Sequence, residues 1–150
     1  MSYQEKNVTV SLVSYLLILG YFVVNWLQMY REGSLNSSEV FRLWITVIIV
    51  TILVNITASI LTNIVLSILY AIRTGGKEEE RFIEDERDKL IGLKGTQASY
   101  LAFSIGVFLS MLTFVFGQPP LLMFSLIVLS GILAEIIGDL SQIYRYRRGF

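Results

Sequence analysis

Glu135 and Asp139 stand one helical turn apart within an otherwise apolar run, Leu121–Tyr144. Carboxyls at i and i+4 share one helix face, and an ionisable side chain inside a spanning segment is costly enough to mark a functional position by default. Such a pair can hold a proton or a cation, or form an ion pair whose partner changes between two states. At about 1.5 Å per residue from Leu121, Glu135 falls in the inner third of a bilayer and Asp139 near its inner interface. The basic residues that could meet them there are Lys94, opening the third apolar run, and Arg73, closing the second. Two readings stand side by side: an ion-pair clamp at the inner mouth of a helix bundle, and a proton or cation site acting as a charge switch.

Other chemistry is sharply limited. The 150-residue chain contains no cysteine and no histidine. That removes disulfides, thiolate chemistry, histidine-based catalytic pairs and the usual zinc sites. No nucleophile–base pair or cofactor motif is present, so the expectation is a protein that is not an enzyme, with no cofactor and no metal site. Formal net charge is zero, which gives no electrostatic case for direct contact with nucleic acid.

The elements that must position the carboxyls are transmembrane helices. Hydrophobic residues make up 54% of the chain and charged residues only 16%, against about 25% charged in a soluble domain, and the charges are clustered. Four apolar runs reach the roughly 20 residues needed to cross a bilayer: Val8–Met29, Val40–Ile72, Thr96–Phe116 and Leu121–Tyr144. The first is too long for a signal-peptide core and lacks a small-x-small cleavage site. The spacing predicts an all-α membrane protein, a four-helix antiparallel transmembrane bundle in a single domain over 1–150, with a charged loop over 73–95. Lysine and arginine gather in that loop and in the tail Arg145–Arg148, while Gly117-Gln118-Pro119-Pro120 carries no charge. The positive-inside rule therefore places both termini and the loop in the cytoplasm. Trp26, Tyr30 and Trp44 fall at the outer interface and Tyr70, Tyr144 and Tyr146 at the inner one.

Within lipid, helices associate through small residues and hydrogen bonds. Ala98, Ala102, Gly106 and Ser110 recur every four residues in the third helix. Asn55 and Thr62 lie on a polar face of the second, and Gly131 and Gly138 on a small face of the fourth. Ser11, Ser14, Tyr21, Asn25 and Gln28 give the first a polar side. Packing is the plain reading of these positions; a homodimer through one such face, or a polar conduction path, is the alternative.

The charged loop carries its own pattern. Asp85–Lys89 is an i,i+4 pair and Glu84–Arg87 and Glu86–Lys89 are i,i+3 pairs, so the segment can be helical. Gly75-Gly76 on one side and Gly92 and Gly95 on the other predict hinges. Seven acidic residues against six basic ones argue against simple binding to anionic lipid and leave two readings, a solvated connector or a docking surface for a soluble protein.

The string Glu84-Asp85-Glu86-Arg87-Asp88-Lys89-Leu90-Ile91-Gly92-Leu93-Lys94, followed by Ala98 and Ala102, resembles a signature of a family of small four-helix integral membrane proteins of unknown function from bacteria and archaea. The likeness covers about two-thirds of the chain. Members are often associated with small helix-turn-helix regulators. The resemblance thus implies a multi-pass protein of the cytoplasmic membrane that controls a soluble transcription factor through Glu86, Arg87, Asp88, Ile91 and Lys94. Gly95 stands here where the signature has alanine.

These features together predict a non-enzymatic regulatory or sensory membrane module with the lipid bilayer and a cytoplasmic protein as partners. Beside it stand a transporter, channel or transporter subunit using Glu135, and an immunity-type membrane protein.

Overall fold

In hydrocarbon every backbone N–H and C=O must find its partner within the spanning segment, so apolar runs of this length fold as helices. The computed structural model describes residues 3–33, 36–74 and 86–148, without the side chains of residues 3 and 4 and of most of the second helix beyond residue 57. It contains α1 (Tyr3–Arg31), α2 (Ser37–Thr74), α3 (Glu86–Val115) and α4 (Pro120–Arg148). Each holds a stretch long and apolar enough to cross a membrane. The expected all-α four-helix bundle is what forms, and no strand occurs among the described residues.

Hydroxyl and amide side chains obey the same demand as the backbone, largely within their own helix. Ser14 Oγ donates to the Val10 carbonyl at 2.9 Å and Asn25 Nδ2 to that of Tyr21 at 2.8 Å. Ser104, Ser110 and Ser125 each donate to the carbonyl four residues earlier. These polar groups therefore cost little in lipid without a neighbouring helix. Ser11 apart, the expected polar side of α1 is accordingly not its packed side. Tyr21 and Gln28 are exposed, and α1 buries Val8, Tyr15, Ile18 and Phe22 instead.

The outer turns are set by local chemistry. Gly117, at φ 77°, closes α3 in a Schellman arrangement: its N–H donates to the Phe114 carbonyl at 3.0 Å and the Gln118 N–H to that of Thr113 at 3.1 Å. Pro119 then accepts from the Leu122 N–H at 2.9 Å while Pro120 opens α4, where its missing N–H costs nothing. Gly33, at φ 65°, ends α1 in the same left-handed region. Asn36, rather than Ser37 or Ser38, takes the cap position of α2, its carbonyl accepting from the Val40 N–H at 3.1 Å. Gly117→Ala places a Cβ in the left-handed region and is expected to lower stability by about 1 kcal/mol in an unfolding titration in mixed micelles. Gly20→Ala, mid-helix with nothing within 4 Å of its would-be Cβ, is expected to raise it by up to about 1 kcal/mol.

α4 is the hub. It packs along α3, against α1, and to a smaller extent against α2, while α1 and α2 pack on each other. The outer half of the α1–α2–α4 contact is a core of Ile18, Phe22, Leu43, Val47, Ile132 and Ile136, closed at the outer turns by Trp26 and Trp44. Trp26 stacks on Tyr30 at 5.7 Å between ring centroids and Trp44 lies 5.9 Å from Phe124, so the aromatic residues gather at this end of the helices. α3 leans on α4 alone to any extent, with Ile91, Gly95 and Ser110 as its buried residues.

The largest departure from the sequence reading lies in the charged segment. α3 begins at Glu86, so Glu86–Gly95 is a continuous extension of the spanning helix rather than part of a loop. Gly92 and Gly95 are ordinary helical residues there, and the expected hinge between loop and helix is absent. The burial of Ile91 and Gly95 against the bundle outweighs two helical glycines, each costing only about 1 kcal/mol. Gly75, Gly76 and Glu84 lie outside the described residues.

Candidate functional site

Glu135 and Asp139 occupy the inner half of α4, facing the inner half of α1. The two differ sharply in surroundings. Asp139 is buried at 7% exposure, whereas Glu135 is exposed on the helix flank. Asp139 accepts a hydrogen bond from the Ser11 hydroxyl of α1. Its Oδ2 is buried and has no hydrogen-bond partner among the described residues. A carboxylate with one oxygen left bare in a low-dielectric interior is incompletely compensated.

Above this pair sits Tyr15, buried at 7% exposure, with both carboxyls within electrostatic range of its hydroxyl. Asn55 of α2 fixes that hydroxyl: its Nδ2 donates to Tyr15 Oη at 2.8 Å and to the Thr51 carbonyl at 3.0 Å. Because Asn55 supplies the donor, the phenolic hydrogen of Tyr15 remains free to point at an acceptor. Below, Glu5 of α1 lies 3.7 Å from Arg147 Nε of α4. Glu5 is nearly enclosed while the arginine remains largely solvated, and the contact brings the two ends of the described chain to one face of the bundle.

Of the basic residues expected beside the carboxyls, Lys94 is turned away: its Nζ donates to Gln97 Oε1 on its own helix at 3.3 Å. The side chain of Arg73 lies outside the described residues. Among the described residues the interhelical ion pair at this end joins Glu5 and Arg147. Neither Glu5 nor Tyr15 stands out in the sequence as a site residue. The signal that could have found Tyr15 is spacing: Ser11 and Tyr15 project from the α1 face that also carries Ile18 and Phe22.

On its opposite side α4 meets α3 through small residues. A Cβ on Gly138 would collide with Ser99 Oγ and come within 3.2 Å of the Gly95 carbonyl, one on Gly95 would strike the Gln142 side chain, and one on Gly106 the Ser130 side chain. Ser110 is buried, and Ala98 and Ala102 are half-buried beside this contact. The predicted small-residue stripe thus lies in a close α3–α4 contact, with Gly95, Ser99 and Ser130 added to it. Gly131 is looser, its nearest neighbour being the Phe103 ring at 3.8 Å. Asn55 works as a clamp on Tyr15, and the side chain of Thr62 lies outside the described residues.

The residues of the charged segment divide in two. Glu86 and Arg87 are exposed and Asp88 half-buried, as a docking surface requires. Ile91 is fully buried at 0% exposure. It lies one turn before Gly95 on the same face, so it anchors the extension to the bundle and is withdrawn from any partner.

Four helices, each long and apolar enough to cross a bilayer, define a multi-pass, all-α membrane protein. No protein-family model matches the chain, and neither the curated proteins nor the solved structures contain a match to it.

Proposed function

We propose that this protein is a non-enzymatic regulatory or sensory module of the cytoplasmic membrane. In this reading the Asp139 cluster biases the helix packing, and the charged start of α3 presents the outcome to a soluble partner. The supporting observation is the short connection between the two. Asp139 follows Gly138, Gly138 touches Ser99 and the Gly95 carbonyl, and Gly95 shares one unbroken helix with Glu86–Lys94. A change in what Asp139 binds alters how α4 seats on α3, and the extension follows. The stimulus must interact differently with the two packings, since only differential affinity shifts such an equilibrium. The likeness of the Glu86-Arg87-Asp88 string to a family associated with helix-turn-helix regulators favours such a regulator as partner.

The absence of cysteine makes the test clean. Spin labels at Lys6→Cys and Arg87→Cys in nanodiscs are expected to change their mean separation by about 2 Å or more when Asp139→Asn is added, the size of helix shifts in known switches. Identical distance distributions in the two backgrounds would sink the reading. Charge reversal at Glu86, Arg87 and Asp88 should in turn abolish capture of the partner without altering those distances.

Ion transport with Glu135 as the coupling carboxyl is the second reading. It is favoured by the exposure of Glu135 one turn from a buried acid, and opposed by the unbroken apolar core on the outer side. Flux into liposomes that disappears with Glu135→Gln would establish it.

A further inference from the structure

The seam shared by α1, α2 and α4 changes character at a single level. Toward the outer turns it consists of Ile18, Phe22, Leu43, Val47 and Ile132. Toward the inner end its side chains are polar: Asn55 on Tyr15, Ser11 on Asp139, and Glu5 beside Arg147. These contacts step down the antiparallel helices in register, one every turn or two. Asn7, one turn from Ser11, is also engaged. The sequence extends the same pattern on α2, where Thr51, Asn55, Ser59, Asn63 and Ser67 recur every four residues; the side chains of the last three lie outside the described residues.

A row of ordinary interhelical hydrogen bonds would be complete in itself. This row is incomplete at its deepest acid. Asp139 Oδ2 is more than nine-tenths buried with no protein partner, and the phenolic hydrogen of Tyr15 is left over by Asn55. A donor and an acceptor without mates, beside a serine hydroxyl, are the two to four polar groups that hold a buried water. No cluster of three acidic, histidine or cysteine ligands occurs among the described residues, so the proton, carried by water, is the ligand that the groups present suit.

We infer that the inner half of the α1–α2–α4 seam is a hydrated half-path that delivers protons from the Glu5–Arg147 face to Asp139 and ends blind at the Ile18–Phe22–Leu43–Val47 core. This rests on the reading of Asp139 as the switch and names what reaches it: the cytoplasmic proton, with no access from the outer side. The charged and titratable groups facing the path are Glu5 and Tyr15 from α1 and Glu135, Arg145 and Arg147 from α4. α2 contributes the uncharged Thr51 and Asn55 among its described side chains, and Lys94 of α3 is turned to Gln97.

Sided thiol chemistry tests the path. Ser11→Cys and Ile18→Cys are each reconstituted into vesicles of both orientations and exposed to Ag⁺, a small thiol-specific cation that reacts with the hydrated thiolate; blocked thiols are counted by their failure to take maleimide after solubilisation. Ser11→Cys is expected to be blocked from the inner face roughly tenfold or more faster than Ile18→Cys, since a thiol away from water stays protonated and inert. Neither should be blocked from the outer face. Equal rates at the two positions, or blocking of Ser11→Cys from outside, would overturn the half-path. The unsubstituted chain provides a second readout free of folding effects. Hydroxyl-radical footprinting in nanodiscs should modify Tyr15 and spare Phe22, and protection of Tyr15 equal to that of Phe22 would also overturn it. Failure here differs from failure of the switch. A blocked Ser11→Cys with unchanged spin-label distances keeps the path and removes the switch, whereas shifted distances with an unreactive Ser11→Cys remove the path alone.

Discussion

Gly138→Leu is expected to cost the protein at least about 2 kcal/mol and to loosen α3 from α4. Overpacking a tight core costs about 1–3 kcal/mol when side chains can move aside. At Gly138 one of the obstacles is the backbone carbonyl of Gly95, 3.2 Å from the would-be Cβ, and backbone yields less readily than a rotamer. In lipid, moreover, no hydrophobic force presses helices together, so close approach at small residues is itself the source of attraction. Losing it at the tightest point forfeits dispersion contacts along the whole α3–α4 seam. Gly20→Leu is the matched control, since nothing lies within 4 Å of that position. Unfolding titrations in mixed micelles should leave the Gly20 variant within about 0.5 kcal/mol of the parent. A Gly138→Leu variant of parental stability would show that the α3–α4 contact is not the close one described above.

The second large effect is a reversal of sign at Asp139. Ser11→Ala removes the hydroxyl that donates to this carboxyl and leaves the side chain with no partner among the described residues, so a loss of about 1–3 kcal/mol is expected. Asp139→Leu removes the uncompensated acid itself, and replacing an imperfectly paired buried charge with a well-fitting apolar group is neutral or stabilising. In the Asp139→Leu background Ser11→Ala should then cost nearly nothing, because the serine falls back on its own helix for a partner. The double-mutant cycle, read by the same unfolding titration, isolates the Ser11–Asp139 coupling. Additive costs would show that the two side chains do not act on each other. The Asp139→Leu protein should remain folded and lose its response, which separates stability from switching.

Much of this was legible beforehand because bilayer physics is strict. Four runs of about 20 apolar residues admit only helices, and the glycine and proline pair at Gly117–Pro120 announces its turn without ambiguity. The stripe through Ala98, Ala102, Gly106 and Ser110 was legible for a related reason: only small side chains allow such proximity. What escaped was orientation. Ser14, Asn25 and Gln28 look like a polar packing face in sequence, yet Ser14 and Asn25 bond to their own backbone and Gln28 donates to Glu32. Polarity alone does not tell a residue satisfied locally from one satisfied across an interface. Tyr15 and Glu5 escaped for the converse reason. Only the packing of the helices brings Asn55 and Arg147 opposite them. The helical state of Glu86–Gly95 was undecidable from pattern, since its charge pairs favoured helix while its glycines opposed it, each by a fraction of a kcal/mol to about 1 kcal/mol.

That helical state turns α3 into a mechanical lever. A bilayer needs about 20 residues of its length, and α3 has 30, so an arm of roughly 15 Å at about 1.5 Å per residue projects beyond the hydrocarbon. Its last buried contacts are Gly95 and, one turn nearer the free end, Ile91, so the arm moves only as α3 tilts as a whole on α4. A tilt of about 10° there, within the ordinary play of packed helices, carries Glu86 sideways by some 2–3 Å over that arm. A flexible strap would dissipate the same tilt within its first few residues. On the switch proposed above, such an arm gives leverage to a small displacement at Gly138 with no moving part other than the helix itself.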